Sequence, residues 1–167
     1  MNFDIAFEML IGHEGGYSRD RNDPGNWTGG RAGRGSLKGT KYGISAATFP
    51  YEDIENLTLL EAKLIYKNSY WDAVLCENLP ETIRFDMFDL TVNSGAFTAA
   101  ILLQRALQVK EDGVIGLKTL DAAYKINSQV LDKRLSAIRL LYLCSLKTFP
   151  HFGKGWVRRV AVNLLND

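Results

Sequence analysis

Nine of the chain's 15 glycines lie between Gly15 and Gly43, together with the turn-forming triplet Asp23-Pro24-Gly25. Glycine enters positive φ freely and weakens a helix interior by about 1 kcal/mol relative to alanine. A stretch this dense in glycine is turn, irregular loop and at most a short hairpin, and it is the one part of the chain that cannot be mostly helical. The core must come from the segments around it.

Those segments carry helical periodicity. Phe3, Ala6, Phe7, Leu10 and Ile11 have the spacing of an amphipathic helix with Asn2 as N-cap, expected to end at His13-Glu14 where Gly15-Gly16 follows. Thr58-Leu59-Leu60-Glu61 has the form of a capping box and opens a helix toward Tyr70-Trp71. A helix after Pro80 carries Ile83, Met87, Leu90 and Val92 and ends near Gly95, and another runs from about Thr98 to Leu107, before a turn at Asp112-Gly113. Ser128 is expected to cap a long helix through Leu131, Leu135, Ile138 and Tyr142, and a last helix to begin near Trp156. No internal repeat or low-complexity segment interrupts this order. The expected fold class is α+β, predominantly α, with a Gly-rich loop and short hairpin region followed by a helical bundle.

Composition narrows the function classes. A chain of 167 residues with 46% hydrophobic content can bury a real core as one domain. A formal net charge of only +1 argues against a protein built to neutralise nucleic-acid phosphates. No run approaches the roughly 18 apolar residues a membrane span needs, so stable membrane insertion is not expected. Met1-Asn2-Phe3-Asp4-Ile5 lacks the basic and apolar regions of a secretory signal, so the expectation is a protein made and held in the cytoplasm. A substrate beyond the membrane would then require a separate release step. Cys76 and Cys144 lie in apolar sequence with no second cysteine nearby; two buried free thiols are expected, with a disulfide as the alternative. His13 and His151 are the only histidines and lie at opposite ends, so neither a metal site nor a Cys-His hydrolase is expected, and no cofactor.

Glu14 is the first candidate for chemistry. A carboxylate at the end of an apolar helix feels the negative end of the macrodipole, and apolar neighbours raise its pKa further, as a general acid requires. On position alone it could equally be an exposed residue at a helix end. Asp23 follows with eight residues between, and Thr40 precedes Tyr42-Gly43-Ile44. Glycoside hydrolysis needs an acid on the leaving oxygen and a group that activates or positions water, which Glu14, Asp23 and a threonine hydroxyl would supply. Asp-Pro-Gly is also simply a common turn.

The runs His13-Glu14-Gly15-Gly16-Tyr17, Asn22-Asp23-Pro24-Gly25 and Thr40-Lys41-Tyr42-Gly43-Ile44-Ser45 resemble the N-terminal signature of glycoside hydrolase family 108, lysozyme-like muramidases that include phage endolysins. Phe88-Asp89, Asn93-Ser94-Gly95, Leu103-Gln104-Arg105-Ala106-Leu107, Asp112-Gly113-Val114-Ile115-Gly116 with Thr119, and Trp156 with Arg159 look like the peptidoglycan-binding half that accompanies it. The resemblance implies a single lysozyme-like domain over 1–167, with a catalytic lobe at 1–75 and a helical peptidoglycan-binding lobe at 76–167. It implies Glu14 as the catalytic acid, and Asp23 and Thr40 as the groups that position the attacking water. The long stretch Asn26 to Gly39 before Thr40 departs from the family pattern and leaves Thr28 as a second candidate.

Further expectations concern binding. Tyr17 and Tyr42, flanked by glycine, are the exposed candidates for stacking on sugar rings, and Trp27, Trp71 and Trp156 are others. Asp89 and Asn93 share a helix face and could both meet sugar hydroxyls. Arg19, Arg21, Arg31, Arg34, Lys38 and Lys41 oppose only Asp20 and Asp23 across the Gly-rich stretch, either a basic flap that gathers an anionic wall polymer or a solvated loop. The partner expected is the peptidoglycan glycan strand, bound by a monomer and cut between N-acetylmuramic acid and N-acetylglucosamine. A lytic transglycosylase and a noncatalytic peptidoglycan-binding protein are the alternatives.

Overall fold

The computed structural model describes residues 1–12 and 16–166. In order, its principal elements are α1 (Phe3–Ile11), β1 (Thr40–Lys41), β2 (Ile44–Ser45), α2 (Leu59–Tyr66), α3 (Arg84–Ser94), α4 (Ala96–Leu107), α5 (Leu117–Lys125), α6 (Ser128–Ser145) and α7 (Phe149–Asn166). This is the α+β, predominantly α arrangement that the glycine distribution implies. The chain divides into two compact units, Asp4–Asn68 and Met1–Phe3 with Ser69–Asp167.

In the first unit, α1 buries Ala6 and Phe7, and the Phe7 ring meets Tyr66 of α2 edge-on at 5.5 Å. Gly12 ends α1: it adopts φ +58 and donates its N–H to the Glu8 carbonyl at 3.0 Å, so the helix stops two residues short of the expected His13. His13, Glu14 and Gly15 lie outside the described residues. β1 and β2 pair antiparallel, Thr40 with Ser45 and Lys41 with Ile44. The two residues between, Tyr42 and Gly43, have φ of +51 and +74, the left-handed pair of a type I′ turn. Ile44, Ala46, Ile54, Leu57 and Ala62 complete this core. Thr58 caps α2 as expected, its hydroxyl accepting from Glu61 N–H while the Glu61 carboxylate accepts from Thr58 N–H.

The second unit is built on an aromatic cluster. The rings of Phe3, Trp71 and Phe88 meet edge-on at 5.5–5.9 Å, and Trp71 is thereby core, not a sugar platform. α3 and α4 join at Gly95, whose φ of +83 turns the chain without a side chain to obstruct it. α4 packs on α3, α5 and α6, and α6 packs on α7. Gln104 of α4 fastens the loop before α5. Its amide donates to Asp112 Oδ1 at 2.8 Å and the Val114 carbonyl at 3.0 Å, and its oxygen accepts from Gly113 N–H at 2.9 Å. The Leu103-Gln104 and Asp112-Gly113 motifs thus serve each other.

Several boundaries differ from expectation for local reasons. Asn127, not Ser128, caps α6, because its extended backbone lets its side chain accept from Val130 N–H. α7 begins at Phe149 rather than near Trp156: Pro150 lies in the first turn, where no N–H is needed, and Gly153 makes room for the Phe149 ring. Sequence periodicity does not mark α5, since its buried face offers only Thr119 and Ala123 while Leu117 and Tyr124 are exposed. Both cysteines are free, but only Cys76 is buried, and burial pushes its thiol far above the ordinary range. Cys144 is exposed, contrary to the expectation of two buried thiols. Among the described residues no helix is long and apolar enough to cross a membrane.

Gly43 is a constrained turn position, because a Cβ there would stand 2.4 Å from Tyr66 Oη at a φ of +74. Gly43→Ala is expected to destabilise the protein by about 1–3 kcal/mol in urea denaturation. A loss below about 0.5 kcal/mol would contradict this reading of the turn.

Candidate active site

Asp23 sits at the start of a 3-10 turn over Pro24–Asn26, and its Oδ1 accepts from Gly25 N–H at 2.8 Å. This fixes the exposed carboxylate by one oxygen and leaves Oδ2 unclaimed among the described residues. Asn26, completely buried, joins this turn to β1. Its amide donates to the Asp20 carbonyl at 3.0 Å, its Oδ1 accepts the Thr40 hydroxyl at 2.7 Å, and its carbonyl accepts from the N–H groups of Lys38 and Gly39, both at 3.0 Å. Thr40 is held besides by paired backbone bonds with Ser18, 2.8 Å each way. Its only hydroxyl proton is spent on Asn26, so Thr40 Oγ1 can serve another group solely as an acceptor.

Thr28 is differently employed. The Gly-rich insertion closes on itself as a hairpin, with a Trp27–Leu37 bridge and backbone bonds from Thr28 N–H to the Ser36 carbonyl and from Gly29 N–H to the Arg34 carbonyl. Thr28 Oγ1 accepts from Ser36 N–H at 2.9 Å inside this hairpin, and the Trp27 indole at its base donates to the Arg21 carbonyl at 2.9 Å. Of the six basic residues of the stretch, two are tied to backbone carbonyls: Lys38 to Pro50 at 2.7 Å and Lys41 to Glu55 at 2.9 Å.

Tyr17 lies with its ring over Gly39, where a Cβ would come within 2.6 Å, and its hydroxyl donates to the Lys38 carbonyl at 3.1 Å. Its outer face lines a depression of about 320 Å³ shared with Arg19, Tyr51 and Asp53. Tyr42 is half-buried at the hairpin turn, its carbonyl accepting from Tyr66 Oη at 3.2 Å and its ring 5.6 Å from the Lys41 ammonium.

In the helical unit the expected pair on α3 separates. Asn93 is exposed, and its amide donates to the Asp89 carbonyl at 2.6 Å. Asp89 is 1% exposed and has no free face for a sugar, because its neighbours fill the carboxylate's acceptor sites. Arg139 Nη2 and Asn163 Nδ2 reach Oδ2 at 2.5 and 3.1 Å, and Arg159 Nε reaches Oδ1 at 2.7 Å. Burial raises the Asp89 pKa, but the Arg139 charge and the Arg159 hydrogen bond and charge outweigh it, and the net shift is downward. Asn26, Arg139 and Asn163 escaped the sequence analysis, since nothing in the local pattern distinguishes a buried amide or guanidinium from a solvated one. Among the described residues no group of His, Cys, Asp or Glu side chains could hold a metal ion.

The family model for glycosyl hydrolase 108 matches residues 7–95 of the chain, more than half its length. The chain belongs to glycosyl hydrolase family 108. The matched span contains Glu14, Tyr17, Asp23, Thr40, Tyr42, Asp89 and Asn93. Twelve chains of solved structures match this glycosidase, among them the structure of Brucella abortus SagA, at 33% identity and a TM-score of 0.81 over 96% of this chain and 90% of that one. The likeness therefore extends well beyond the residues that the family model matches, and the fold is the mostly helical, lysozyme-like one the family resemblance implied. No curated protein matches the sequence.

The Asp89 cluster generates a test in this glycosidase. Asp89→Asn removes the carboxylate that Arg139 and Arg159 share and leaves Arg139 only the more distant Asp86, 3.7 Å from its Nη1, with an expected loss of about 3 kcal/mol at pH 7. Because the folded-state pKa lies below the unfolded one, the stabilisation is present above about pH 4 and fades as pH falls through the folded value. Denaturation curves of the two proteins should converge in acid; a gap that stays constant to pH 2 would show that the charge of Asp89 is not what stabilises the cluster.

Proposed function

We propose that this glycosidase is a muramidase of endolysin type, a peptidoglycan-degrading enzyme that hydrolyses the β-1,4 bond between N-acetylmuramic acid and N-acetylglucosamine. Glu14 protonates the leaving oxygen. Asp23 and Thr40 hold the water that attacks the anomeric carbon, with Tyr17 and Tyr42 beside the sugar. The substrate is the glycan strand, and neither nucleic acid nor membrane is a partner of the monomer.

The observation that most supports this reading is the hydrogen-bond state of Thr40. A water poised for attack must direct a lone pair at carbon and give up its protons elsewhere. With its own proton committed to Asn26, Thr40 Oγ1 accepts one water proton, and Asp23 Oδ2 accepts the other and takes it as the bond forms. Thr28 fits this role less well, since its oxygen already accepts from Ser36 N–H within the hairpin and its own proton is not committed as that of Thr40 is. The family motif supplies the acid, because Glu14 matches the Glu of its Glu-Gly-Gly-Tyr signature.

Glu14→Gln tests the assignment. Release of soluble muropeptides from purified sacculi is expected to fall by about 10²–10⁴-fold while the far-ultraviolet circular dichroism and melting temperature stay near those of the wild type. Activity within a few-fold of the wild type would remove Glu14 from the mechanism, and a wild-type protein that binds sacculi without releasing any product would replace the muramidase with a noncatalytic binder.

A further inference from the structure

A groove of about 280 Å³ opens on the helical unit where α3, α6 and α7 meet, lined by Asn93, Ser94, Arg139, Tyr142, Trp156 and Arg159 among others. Arg159 borders it with a side chain 40% exposed. Its Nε and Nη2 both engage Asp89 Oδ1, at 2.7 and 2.5 Å, and Asp89 is itself locked by Arg139 and Asn163. A guanidinium has five N–H groups, so an arginine anchored on one edge keeps donors for a second acceptor in a fixed orientation.

Beside it, Arg139 is 3% exposed; its Nη1 faces the buried Asp86 carboxylate at 3.7 Å, and its Nε has no hydrogen-bond partner among the described residues. Buried N–H groups left without acceptors are rare and unfavourable. Asp86 and Asp89 balance the charges of Arg139 and Arg159 within the cluster, so what the groove offers a ligand is the outer N–H groups of Arg159, which favour a partner that carries acceptors. Two further features give that ligand its shape. The Trp156 ring, packed on Phe152 and Phe149 at 5.9 and 6.4 Å, offers an apolar wall. Asn93, one of whose amide protons is already given to the Asp89 carbonyl, presents Oδ1 to an incoming N–H.

We propose that this groove binds the peptide stem of peptidoglycan by a free carboxylate, seated on the outer edge of Arg159, with the stem's aliphatic portion on Trp156 and a peptide N–H on Asn93. The assignment of the carboxylate to a stem peptide rests on the reading of the enzyme as peptidoglycan-degrading. The role of Asp89 follows: it is a positioning residue that aims Arg159.

Titration calorimetry and ¹H–¹⁵N spectra of the full chain test this with three probes: the tetrapeptide L-Ala-D-Glu-diaminopimelate-D-Ala, the same peptide with every carboxylate converted to carboxamide, and chitotetraose. The free-acid peptide is expected to bind at least about tenfold more tightly than the carboxamide, as charge-assisted pairing to arginine requires, and to shift the Trp156 indole and Arg159 Nε resonances. Arg159→Gln should abolish that preference, and Arg159→Lys, which keeps the charge but loses the fork, should retain only part of it. If Arg159→Gln fails to fold, the comparison of the two peptides on the wild-type chain still decides. Equal binding of both peptides, no binding at millimolar concentration, tighter binding of chitotetraose, or shifts confined to residues outside the groove would each overturn the proposal. Sacculus digestion by the same preparation separates the two readings. Muropeptide release without tetrapeptide binding contradicts the groove assignment alone, whereas carboxylate-dependent binding without release contradicts the muramidase alone.

Discussion

The side chain of Asn26 is the constraint on which the candidate active site depends. Completely buried, it finds a partner for both ends of its amide: a donor bond to the Asp20 carbonyl and an acceptor bond from the Thr40 hydroxyl. A buried amide left half satisfied is unfavourable by about 1–3 kcal/mol, so the turn that carries Asp23 and the strand that carries Thr40 are held in one register. The same residue's carbonyl gathers the N–H groups of Lys38 and Gly39 where the Gly-rich hairpin returns to β1. A long insertion can thus separate Asp23 from Thr40 in sequence without disturbing the Asn26 side chain, which ties Thr40 to Asp20 at the start of the turn that carries Asp23.

The helical unit repeats this logic with charge. Asp89, buried on α3, draws together Arg139 of α6 and Arg159 and Asn163 of α7. A lone buried carboxylate would be strongly unfavourable; paired, it fixes the side chains around it. Gln104 does the corresponding work for the loop ahead of α5. In each case a buried polar residue spends its hydrogen bonds on neighbours and fixes a partly buried one beside it, Thr40 or Arg159, in a set orientation.

What could be read from the sequence was what local rules determine. The capping box at Thr58, the amphipathic face of α1, the break at Gly95 and the glycine-driven hairpin all arise within a few residues of where they are seen, and the fold class followed from them. The boundaries that moved did so where two local signals competed: Asn127 against Ser128 for a cap, or Pro150 and Gly153 as breakers against their tolerated places in the first turns of α7. Asp89 exposes the deeper limit. Helical spacing places it on a face with Asn93 but says nothing of depth, and its partners lie 50 to 74 residues away in sequence. The family motifs supplied what periodicity could not, marking Glu14, Asp23 and Thr40 together. Asn26 carries no such mark, because its importance lies in being buried.

The central claim is that a water held by Asp23 and Thr40 completes the cleavage that Glu14 begins. Without a water so held, the 6-hydroxyl of the muramic acid would close on its own anomeric carbon and leave a 1,6-anhydro ring, lighter than a reducing end by one water. Mass spectrometry of the soluble products of digested sacculi distinguishes the two directly. The account expects products ending in reducing N-acetylmuramic acid; predominantly anhydro-muropeptides, or a reducing end carried by N-acetylglucosamine, would contradict it.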